Sequence, residues 1–417
     1  MNIDQNIKTI ASEAIQWRQE LHQNPGIAYD EKFASELIQR KLTEWGFAED
    51  FEAGWGKNPY TDHPKFTGKG GHGVVLTIKG EAGEGETIGL RADIDALAVP
   101  EQTGLDHQSK VAGKMHACGH DGHTATLLTV AKHFSDAANR NFKGELKLIF
   151  QPAEEGAKGA YAMLEKENLL GRHPMHAIFA MHNWPDLPVG KIGVHEGPVM
   201  AASSYVDIKV KGKGAHAAKP EEGLSAARII AGVKYRAEKF NKICAPEDRF
   251  VVTLEEMETK GNKTSIGNYA SLGGTIRTFS ADVLDDKKFE IKRILQEVIE
   301  EEEARINSKF EADVTIEFLD GSPATINTPK CAQDVREAAT KVVGADNVIW
   351  NPDPETTAED FGFFVGKVPL CYFWVGQGDK DKPNTQNVLH DPEYDYNDDA
   401  TAIAAQTFVN LVHNRLG

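Results

Sequence analysis

The densest group of chemically capable side chains lies in the segment Met115-His-Ala-Cys-Gly-His-Asp-Gly-His123, which holds three histidines, one cysteine and one aspartate. Cys118 and His120 are two residues apart, so in an extended segment their side chains point the same way. A thiolate and an imidazole suit a borderline-soft ion such as Zn²⁺. The alternative is a loop before a helix whose histidines hydrogen-bond locally. So many neighbouring polar groups favour a shared partner instead.

Carboxylates follow two predicted strands. Glu154 and Glu155 end the segment Phe150-Gln-Pro-Ala-Glu-Glu-Gly156, and adjacent side chains at a strand end point to opposite sides. This arrangement lets one glutamate bind a metal while the other faces a substrate. Asp93 and Asp95 share one face of an extended segment, and an acid beside a ligating histidine is a common arrangement. Taken alone, the glutamate pair is more typical of a solvated turn, and the aspartate pair is equally typical of a capped turn at a strand end.

Two single histidines stand in short polar motifs. His182 lies in Ala180-Met-His-Asn-Trp184 at a predicted strand end, and His390 lies in Val388-Leu-His-Asp-Pro392. A lone histidine at either place is more often structural. The run Gly68–Gly73 matches the pattern GxGxxG but precedes a strand, which excludes a dinucleotide site there.

Strands and helices alternate around these motifs. Strands are predicted at 74–79, 87–93, 145–150, 177–181 and 370–375, and helices at 121–134, 329–343 and 399–414. Asp121 is the expected N-cap of the first of these helices. An amphipathic helix with Asp4 as its cap is predicted for the first twenty residues, and 54–73 reads as an exposed loop. The alternation predicts an α/β fold with a layered, largely parallel sheet.

The middle of the chain has a different order. It reads as a strand (204–210), a helix (222–239), two strands (250–255 and 270–278), a long helix (283–308) and a strand (314–318). The order β-α-β-β-α-β is that of a ferredoxin-like α+β module. We therefore expect a discontinuous first domain, 1–198 and 318–417, with a second domain inserted at 199–317.

Composition excludes several classes of protein. The 417 residues carry 46 basic and 63 acidic side chains, a formal charge of −17, which argues against nucleic acid or an anionic membrane as a partner. No apolar run has the ~18 residues that a membrane span needs. Four scattered cysteines without a CxxC pair indicate free thiols and a cytoplasmic protein.

Taken together, the motifs resemble those of the metal-dependent amidohydrolases of the aminoacylase and carboxypeptidase G family, in the branch of hippurate hydrolase and the auxin-conjugate hydrolases. The matching runs span nearly the whole chain: RADIDAL (91–97), MHACGHDGHTA (115–125), IFQPAEEG (149–156), MHNWPDLPVG (181–190), GAHAAKP (214–220), GGTIRTF (273–279), AEDF (358–361) and LHDP (389–392).

The resemblance implies that the first domain is a zinc-peptidase-like catalytic domain that hydrolyses the amide bond of N-acyl or N-aroyl amino acids. It also implies that the inserted domain is a lid or dimerisation domain. It implies two divalent metal ions, Zn²⁺ first and Mn²⁺, Co²⁺ or Ni²⁺ as alternatives. Its implied ligands are Cys118, His120, Glu155, His182 and His390. Its other implied roles are Glu154 as general base, Asp95 as orienting acid, and His216 as oxyanion donor from the partner subunit of a homodimer or higher homo-oligomer. Arg277, Thr264 and Asn268 are the expected substrate contacts.

Two positions depart from the pattern of the branch. Thr264-Ser-Ile-Gly267 replaces the usual Asn-Val-Ile-Pro, and Gly26 replaces the glutamate of His-x-x-Pro-Glu. Three alternatives stay open at this point. They are a dipeptidase or carboxypeptidase of the same family, a thiol hydrolase with Cys118 as nucleophile, and a binding protein that retains the fold without catalysis.

Overall fold

The computed structural model describes residues 1–60, 67–239, 241, 249–306 and 310–417. The α-helices are α1 Gln5–Gln23, α2 Lys32–Glu44, α3 His120–His133, α4 Gly159–Tyr161, α5 Leu169–Arg172, α6 Ala226–Glu238, α7 Ala281–Arg305, α8 Pro329–Val343 and α9 Asp399–Leu416. The strands are β1 Phe51–Lys57, β2 Gly70–Lys79, β3 Thr87–Asp93, β4 Glu145–Gln151, β5 Ala177–Pro188, β6 Ile192–Val194, β7 Gly197–Met200, β8 Ala202–Lys211, β9 Ala215–His216, β10 Phe250–Thr259, β11 Ser265–Ile266, β12 Tyr269–Thr278, β13 Asp313–Asp320, β14 Thr325–Asn327, β15 Val348–Trp350 and β16 Leu370–Gly378.

The chain separates into two compact units. The first contains residues 1–199, 326–353 and 360–417, and the second contains 200–325 and 354–359. The second unit thus extends past the expected boundary at 317, because β13 pairs with β8 along its whole length and continues to residue 320. Cys244 lies outside the described residues, whereas Cys118, Cys331 and Cys371 are buried free thiols.

An eight-stranded sheet forms the centre of the first unit, in the order β1-β2-β4-β3-β5-β16-β6-β15. Its central strands β4, β3, β5 and β16 are parallel, while β1 and β2 pair antiparallel at one side and β6 runs antiparallel to β16. The parallel strands are apolar runs buried on both faces, as strands covered by helices on either side must be. The predicted α/β class is confirmed, with a mixed sheet.

Helix α3 is buried around almost its whole circumference and packs against α1, α9 and the sheet. Asp4 caps α1 as predicted, with its side chain accepting from the Asn6 N–H. The prediction that Asp121 is the N-cap of α3 is wrong. The cap of α3 is Gly119 in the left-handed conformation, φ 91°, and Asp121 lies inside the first turn. Its carboxylate is instead drawn into a buried hydrogen bond with His22 Nδ1 at 2.8 Å.

The predicted loop at 54–73 is only partly a loop. β1 covers residues 51–57 and pairs with β2, which already begins at Gly70. Register shifts after Ala53 and Trp55 accommodate Gly54 and Gly56, both at positive φ, and glycine at bulges tolerates that conformation. The glycines therefore predicted a loop, whereas Gly54 and Gly56 lie in a strand with bulges. Residues 61–66 of the predicted loop lie outside the described residues.

The second unit has a four-stranded antiparallel sheet in the order β10-β12-β8-β13. Helices α6 and α7 pack on it, and their apolar residues form one core with alternate residues of the strands. Element order and strand order match the predicted ferredoxin-like module. A short pair, β9 with β11, holds His216 opposite Ser265. Among the described residues, no helix combines the length and the apolar character needed to cross a bilayer.

Candidate metal centre

The polar motifs of the first unit converge beyond the carboxyl ends of the central parallel strands. β3 ends at Asp93, and β4 leads through Pro152 to the two glutamates. The pairing of β3 with β5 stops at Arg91 and Ala180, two residues before Asp93 and His182, so His182 lies level with the end of β3. Cys118 and His120 arrive from the start of α3. The carboxyl edge of a parallel sheet is the usual place for such sites in α/β proteins.

Cys118 and His182 face each other, with 3.4 Å between the sulfur and Nε2. The other ring nitrogen of His182, Nδ1, lies 2.7 Å from the carbonyl oxygen of Asn183 and therefore carries the proton. Burial, followed by the neighbouring His123, lowers the pKa of His182 well below its usual value. The imidazole is therefore neutral and presents a lone pair at Nε2, the form that binds a metal.

His120 is oriented in the same way. Its Nδ1 lies 3.0 Å from the carbonyl oxygen of Asp95 and 3.2 Å from Oδ1 of the same residue. Burial alone lowers the pKa of His120, but Asp93 and Asp95 outweigh it and raise that pKa to about 10. The Nε2 atom is thereby turned toward Glu155, whose Oε1 is 3.9 Å away. The surrounding carboxylates make this a site of negative potential that favours cations.

Glu155 is held from two sides. Its backbone N–H donates to Asp95 Oδ2 at 2.9 Å, and its Oε1 lies 3.3 Å from His390 Nε2. His390 is half exposed and has a left-handed backbone, φ 73°, with its own N–H donated to the carbonyl of Ala117 at 2.8 Å. The chain is thus bent at His390 to bring an isolated histidine of the C-terminal region onto the cluster.

The donor set fits a metal ion. His120 Nε2 and Glu155 Oε1 are buried and make no well-aligned hydrogen bond to a described residue, although His390 Nε2 lies 3.3 Å from Glu155 Oε1. Buried polar atoms are rarely left in this way, because each costs free energy comparable to a lost hydrogen bond. Ligand atoms of Cys118, His120 and His182 lie within 4.8 Å of one another, and so do those of Cys118, Glu155 and His390. One thiol, three imidazoles and a carboxylate are suitable ligands for Zn²⁺ and similar ions.

Glu154 adjoins this donor set. The Asp360 N–H donates to Glu154 Oε1 at 3.2 Å. Glu154 and Glu155 each have an oxygen within 4.8 Å of a His120 nitrogen, so the two side chains do not point to fully opposite sides as expected. The cause is that they follow Ala153, which turns the backbone with φ 57°, and so lie in a turn and not in a strand.

Sequence reasoning missed a buried network that supports this turn. Arg91 forms ion pairs with Asp93 at 2.7 Å and Asp360 at 3.0 Å, and its Nε donates to Gln151 at 2.9 Å. Asp360 also accepts from the Ala160 N–H at 2.8 Å. Both Arg91 and Asp360 stand in quoted motifs, but they are 269 residues apart, so no sequence spacing marks their ion pair.

His123 and Asn183 form a second supporting pair. His123 lies between Asp93 Oδ1 at 2.5 Å and Asn183 Oδ1 at 2.6 Å. Asn183 in turn donates from its amide to Tyr394 at 2.8 Å. Its backbone oxygen is the acceptor that orients His182, so this pair braces a candidate ligand from behind. His123 could have been identified from the histidine-rich segment 115–123, whereas no sequence pattern indicated a role for Asn183.

The remaining predicted residues belong to the second unit. His216 is exposed on β9, and the Ala217 N–H donates to the carbonyl of Thr264 at 3.0 Å. Asn268 accepts from the Gly212 N–H through its carbonyl oxygen at 2.9 Å, so Thr264 and Asn268 flank the β9–β11 pair that carries His216. Arg277 lies near the far end of β12, which at ~3.4 Å per residue places its backbone roughly 30 Å from Asn268. The structure does not bring Arg277 together with His216 within this unit.

A mixed α/β sheet with a cluster of potential metal ligands at its carboxyl edge is an arrangement typical of metallopeptidases. The model of the peptidase family M20/M25/M40 matches residues 89–414. The chain belongs to this family, and the predicted family and hydrolytic class are confirmed.

Three relatives illustrate the resemblance. N-acetylcysteine deacetylase of Bacillus subtilis is 32% identical, covering 97% of both chains, and hippurate hydrolase of Campylobacter jejuni is 30% identical, covering 99% of this chain and 98% of the relative. A Bacillus subtilis crystal structure described as a dinuclear metal binding peptidase of the M20 family superimposes with a TM-score of 0.75. Its sequence is 28% identical, and the match covers 98% of this chain and 99% of that one.

Proposed function

We propose that this enzyme hydrolyses the amide bond of N-acyl or N-aroyl amino acids with the help of two divalent metal ions. Cys118, His120, Glu155, His182 and His390 would hold the ions. The observation that carries the proposal is the pair of buried atoms without well-aligned hydrogen bonds, His120 Nε2 and Glu155 Oε1, 3.9 Å apart and flanked by the other donors. Divalent ions at such a site lower the pKa of water and polarise a carbonyl group.

Glu154 is the proposed general base. It adjoins the ligand cluster, and the hydrogen bond from the Asp360 N–H to Oε1 fixes its carboxylate. In this role a Glu154 oxygen takes a proton from the attacking water and passes it to the departing amide nitrogen. Asp95 orients His120 and, through its second oxygen, the Glu155 backbone.

The second unit supplies the proposed contacts to the rest of the substrate. His216 is exposed, which suits a donor that completes the site of another subunit, and we propose a homodimer in which the partner subunit's His216 stabilises the oxyanion. Thr264 and Asn268 lie beside it and are the proposed substrate contacts, with Arg277 for a carboxylate. Thr264–Gly267 replaces the usual Asn-Val-Ile-Pro in this proposed contact surface, so we expect the substrate preference to differ from that of the usual branch.

The thiol-hydrolase alternative is opposed by the surroundings of Cys118. Burial, followed by the negative charges of Glu155 and Glu154, raises the pKa of this thiol well above its usual value. Nucleophilic cysteines have the reverse environment, with nearby positive groups that lower the thiol pKa. A cation bound by the same carboxylates stabilises the thiolate, so Cys118 suits a ligand better than a nucleophile.

A substrate panel tests the proposed function. N-acetyl, N-benzoyl, aminobenzoyl-glutamate and indole-acetyl conjugates are assayed with Zn²⁺, Mn²⁺, Co²⁺ or Ni²⁺, beside a dipeptide with a free amine. We expect release of the amino acid from at least one N-acyl substrate, inhibition by a chelator, and little activity on the free amine. Preference for the dipeptide would instead favour a peptidase, activity that survives chelation a thiol hydrolase, and metal binding without any hydrolysis a binding protein.

A further inference from the structure

Two buried residues other than glycine, Tyr29 and Ala153, have left-handed backbones, with φ of 69° and 57°. Such conformations are strained for residues that carry a side chain, and they persist where surrounding contacts enforce them. Both residues donate their N–H to the same atom, Glu31 Oε1, at 2.8 Å from Tyr29 and 3.0 Å from Ala153. One buried carboxylate oxygen therefore holds two strained positions that are far apart in the sequence.

Ala153 directly precedes the two glutamates of the candidate metal centre. Its carbonyl accepts from the Gly159 N–H at 2.8 Å, and the Tyr29 hydroxyl donates to the carbonyl of Ala157 at 2.7 Å. The turn 153–157 is thus attached at both ends to the segment around Glu31. The backbone path of the turn 153–157 determines where the side chains of Glu154 and Glu155 point.

The segment 26–31 is itself closely packed. A side chain on Gly26 would place its Cβ 2.3 Å from the Asp30 oxygen and 2.6 Å from Glu31 Cα, so the backbone approach excludes the glutamate usual at this position. The Ala96 N–H donates to the Gly26 carbonyl at 2.8 Å, which ties the segment to the chain just beyond Asp95. A Cβ on Gly68 would lie 2.3 Å from the Tyr29 oxygen. Glu31 therefore has little freedom to move.

We propose that Glu31 is a positioning residue that holds Ala153 in its left-handed conformation and so places Glu154 and Glu155 for metal binding and proton transfer. The roles of Glu154 and Glu155 in metal binding and proton transfer rest on the proposed function. The effect of Glu31 on the Ala153 backbone does not depend on the substrate. Glu31 acts through Ala153 and touches neither the metal ligands nor the substrate. Burial, followed by the nearby Asp95, raises the pKa of Glu31 to about 8, so a neutral side chain with the same acceptor oxygen is a close mimic.

The test compares Glu31→Ala, Glu31→Gln and the matched control Glu36→Gln, whose side chain is exposed on α2. Metal affinity is measured by calorimetric titration of the metal-free protein with Zn²⁺ or Mn²⁺. We expect Glu31→Ala to weaken binding about 10- to 100-fold, the range for groups that orient metal ligands. Glu31→Gln retains the acceptor and should bind close to wild type, as should the control.

Rescue separates positioning from a general loss of stability. In the double variant Glu31→Ala, Ala153→Gly, glycine adopts positive φ without the carboxylate, so we expect metal affinity to recover toward wild type. Absence of recovery in a folded double variant would overturn the proposal, as would unchanged affinity in Glu31→Ala. If Glu31→Ala does not fold, wild-type-like affinity in Glu31→Gln supports the acceptor role and a loss there refutes it.

Amide hydrogen exchange provides a readout that needs neither substrate nor metal. In the metal-free protein, segment 152–158 should exchange faster in Glu31→Ala and return toward wild type in the double variant. Unaltered exchange in this segment would contradict the proposal even if the enzyme proves to hydrolyse no N-acyl amino acid. Failure of the proposed function alone would leave the exchange difference intact.

Discussion

Consecutive residues at the start of α3 enter two different buried clusters. His120 faces Glu155 and the sulfur-containing donor set, where its Nε2 makes no hydrogen bond. Asp121 enters a cluster with His22 at 2.8 Å and Arg18 at 3.6 Å. Both oxygens of Asp121 are used, because Oδ1 accepts from the Gly122 N–H at 3.0 Å.

The difference between the clusters lies in the source of positive charge. Arg18 is buried and permanently charged, and it also binds Asp398 at 2.8 Å, so it balances the acids around it. At the candidate metal centre the nearby guanidinium, Arg91, is committed to Asp93 and Asp360. Glu155 Oε1 faces only histidines among its charged partners in the described chain. Within the described chain, the surroundings of Glu155 thus combine acids, soft donors and histidines with no lysine or arginine ion pair, which suits this cluster to a metal ion.

The largest expected effect is on turnover. Glu154→Gln removes the proposed base and should lower kcat about 10²- to 10⁴-fold, while the five ligands and the bound metal stay in place. Stopped assays with the best substrate of the panel, together with elemental analysis, measure both. Glu165→Gln, which changes a glutamate paired with Lys367 outside the cluster, is the control. Turnover close to wild type would refute the base assignment.

Next in size is the loss of a ligand. Cys118→Ala should weaken metal binding more than about 100-fold, beyond the range seen when only an orienting group is removed. Cys331→Ala is the matched control, since that buried thiol lies outside the donor set, and it should leave binding unchanged. Calorimetric titration measures both variants. Equal metal affinity in the two variants would show that Cys118 is no ligand.

The smallest expected effect concerns the internally balanced cluster. Burial lowers the pKa of His22, but hydrogen bonds with Asp121 and Glu101 outweigh it and raise that pKa to about 9. Because the folded pKa exceeds the unfolded value, the stabilisation is complete below about pH 6.5 and is lost as the pH rises through about 9, a change of about 3 kcal/mol.

Urea unfolding across this range should therefore show a falling free energy of unfolding in wild type and a flatter profile in His22→Gln. Metal stoichiometry should be the same in both, since His22 belongs to the other cluster. Identical pH profiles would contradict the charged His22, and loss of metal in the variant would show that the two clusters are not separate.

The parts of this arrangement that could be predicted from sequence are those with local patterns. Strand and helix alternation predicted the α/β class, and the inserted module followed from element order. The cluster around Cys118 was visible because its donors are adjacent in sequence. Arg91 and Asp360 are 269 residues apart and meet only in the fold, so no spacing marked their ion pair.

Backbone conformation was the least predictable feature. Tyr29, Ala153 and His390 have positive φ although none is glycine, so the turns they form had no compositional signal. Conversely, Gly54 and Gly56 indicated a loop where β1 bends through bulges. The prediction that Asp121 caps α3 was wrong for a related reason. Its side chain contacts His22 and Arg18, which are distant in sequence, and the residue lies inside the first turn of the helix instead of before it.

The central claim is that the cluster at the carboxyl edge of the sheet holds a pair of divalent ions. Anomalous X-ray diffraction from crystals of the protein loaded with Zn²⁺ or Mn²⁺ tests it most directly. The account predicts two anomalous peaks per chain, coordinated by Cys118, His120, Glu155, His182 and His390. Peaks confined to other residues, or no peak at this cluster in fully loaded crystals, would contradict it.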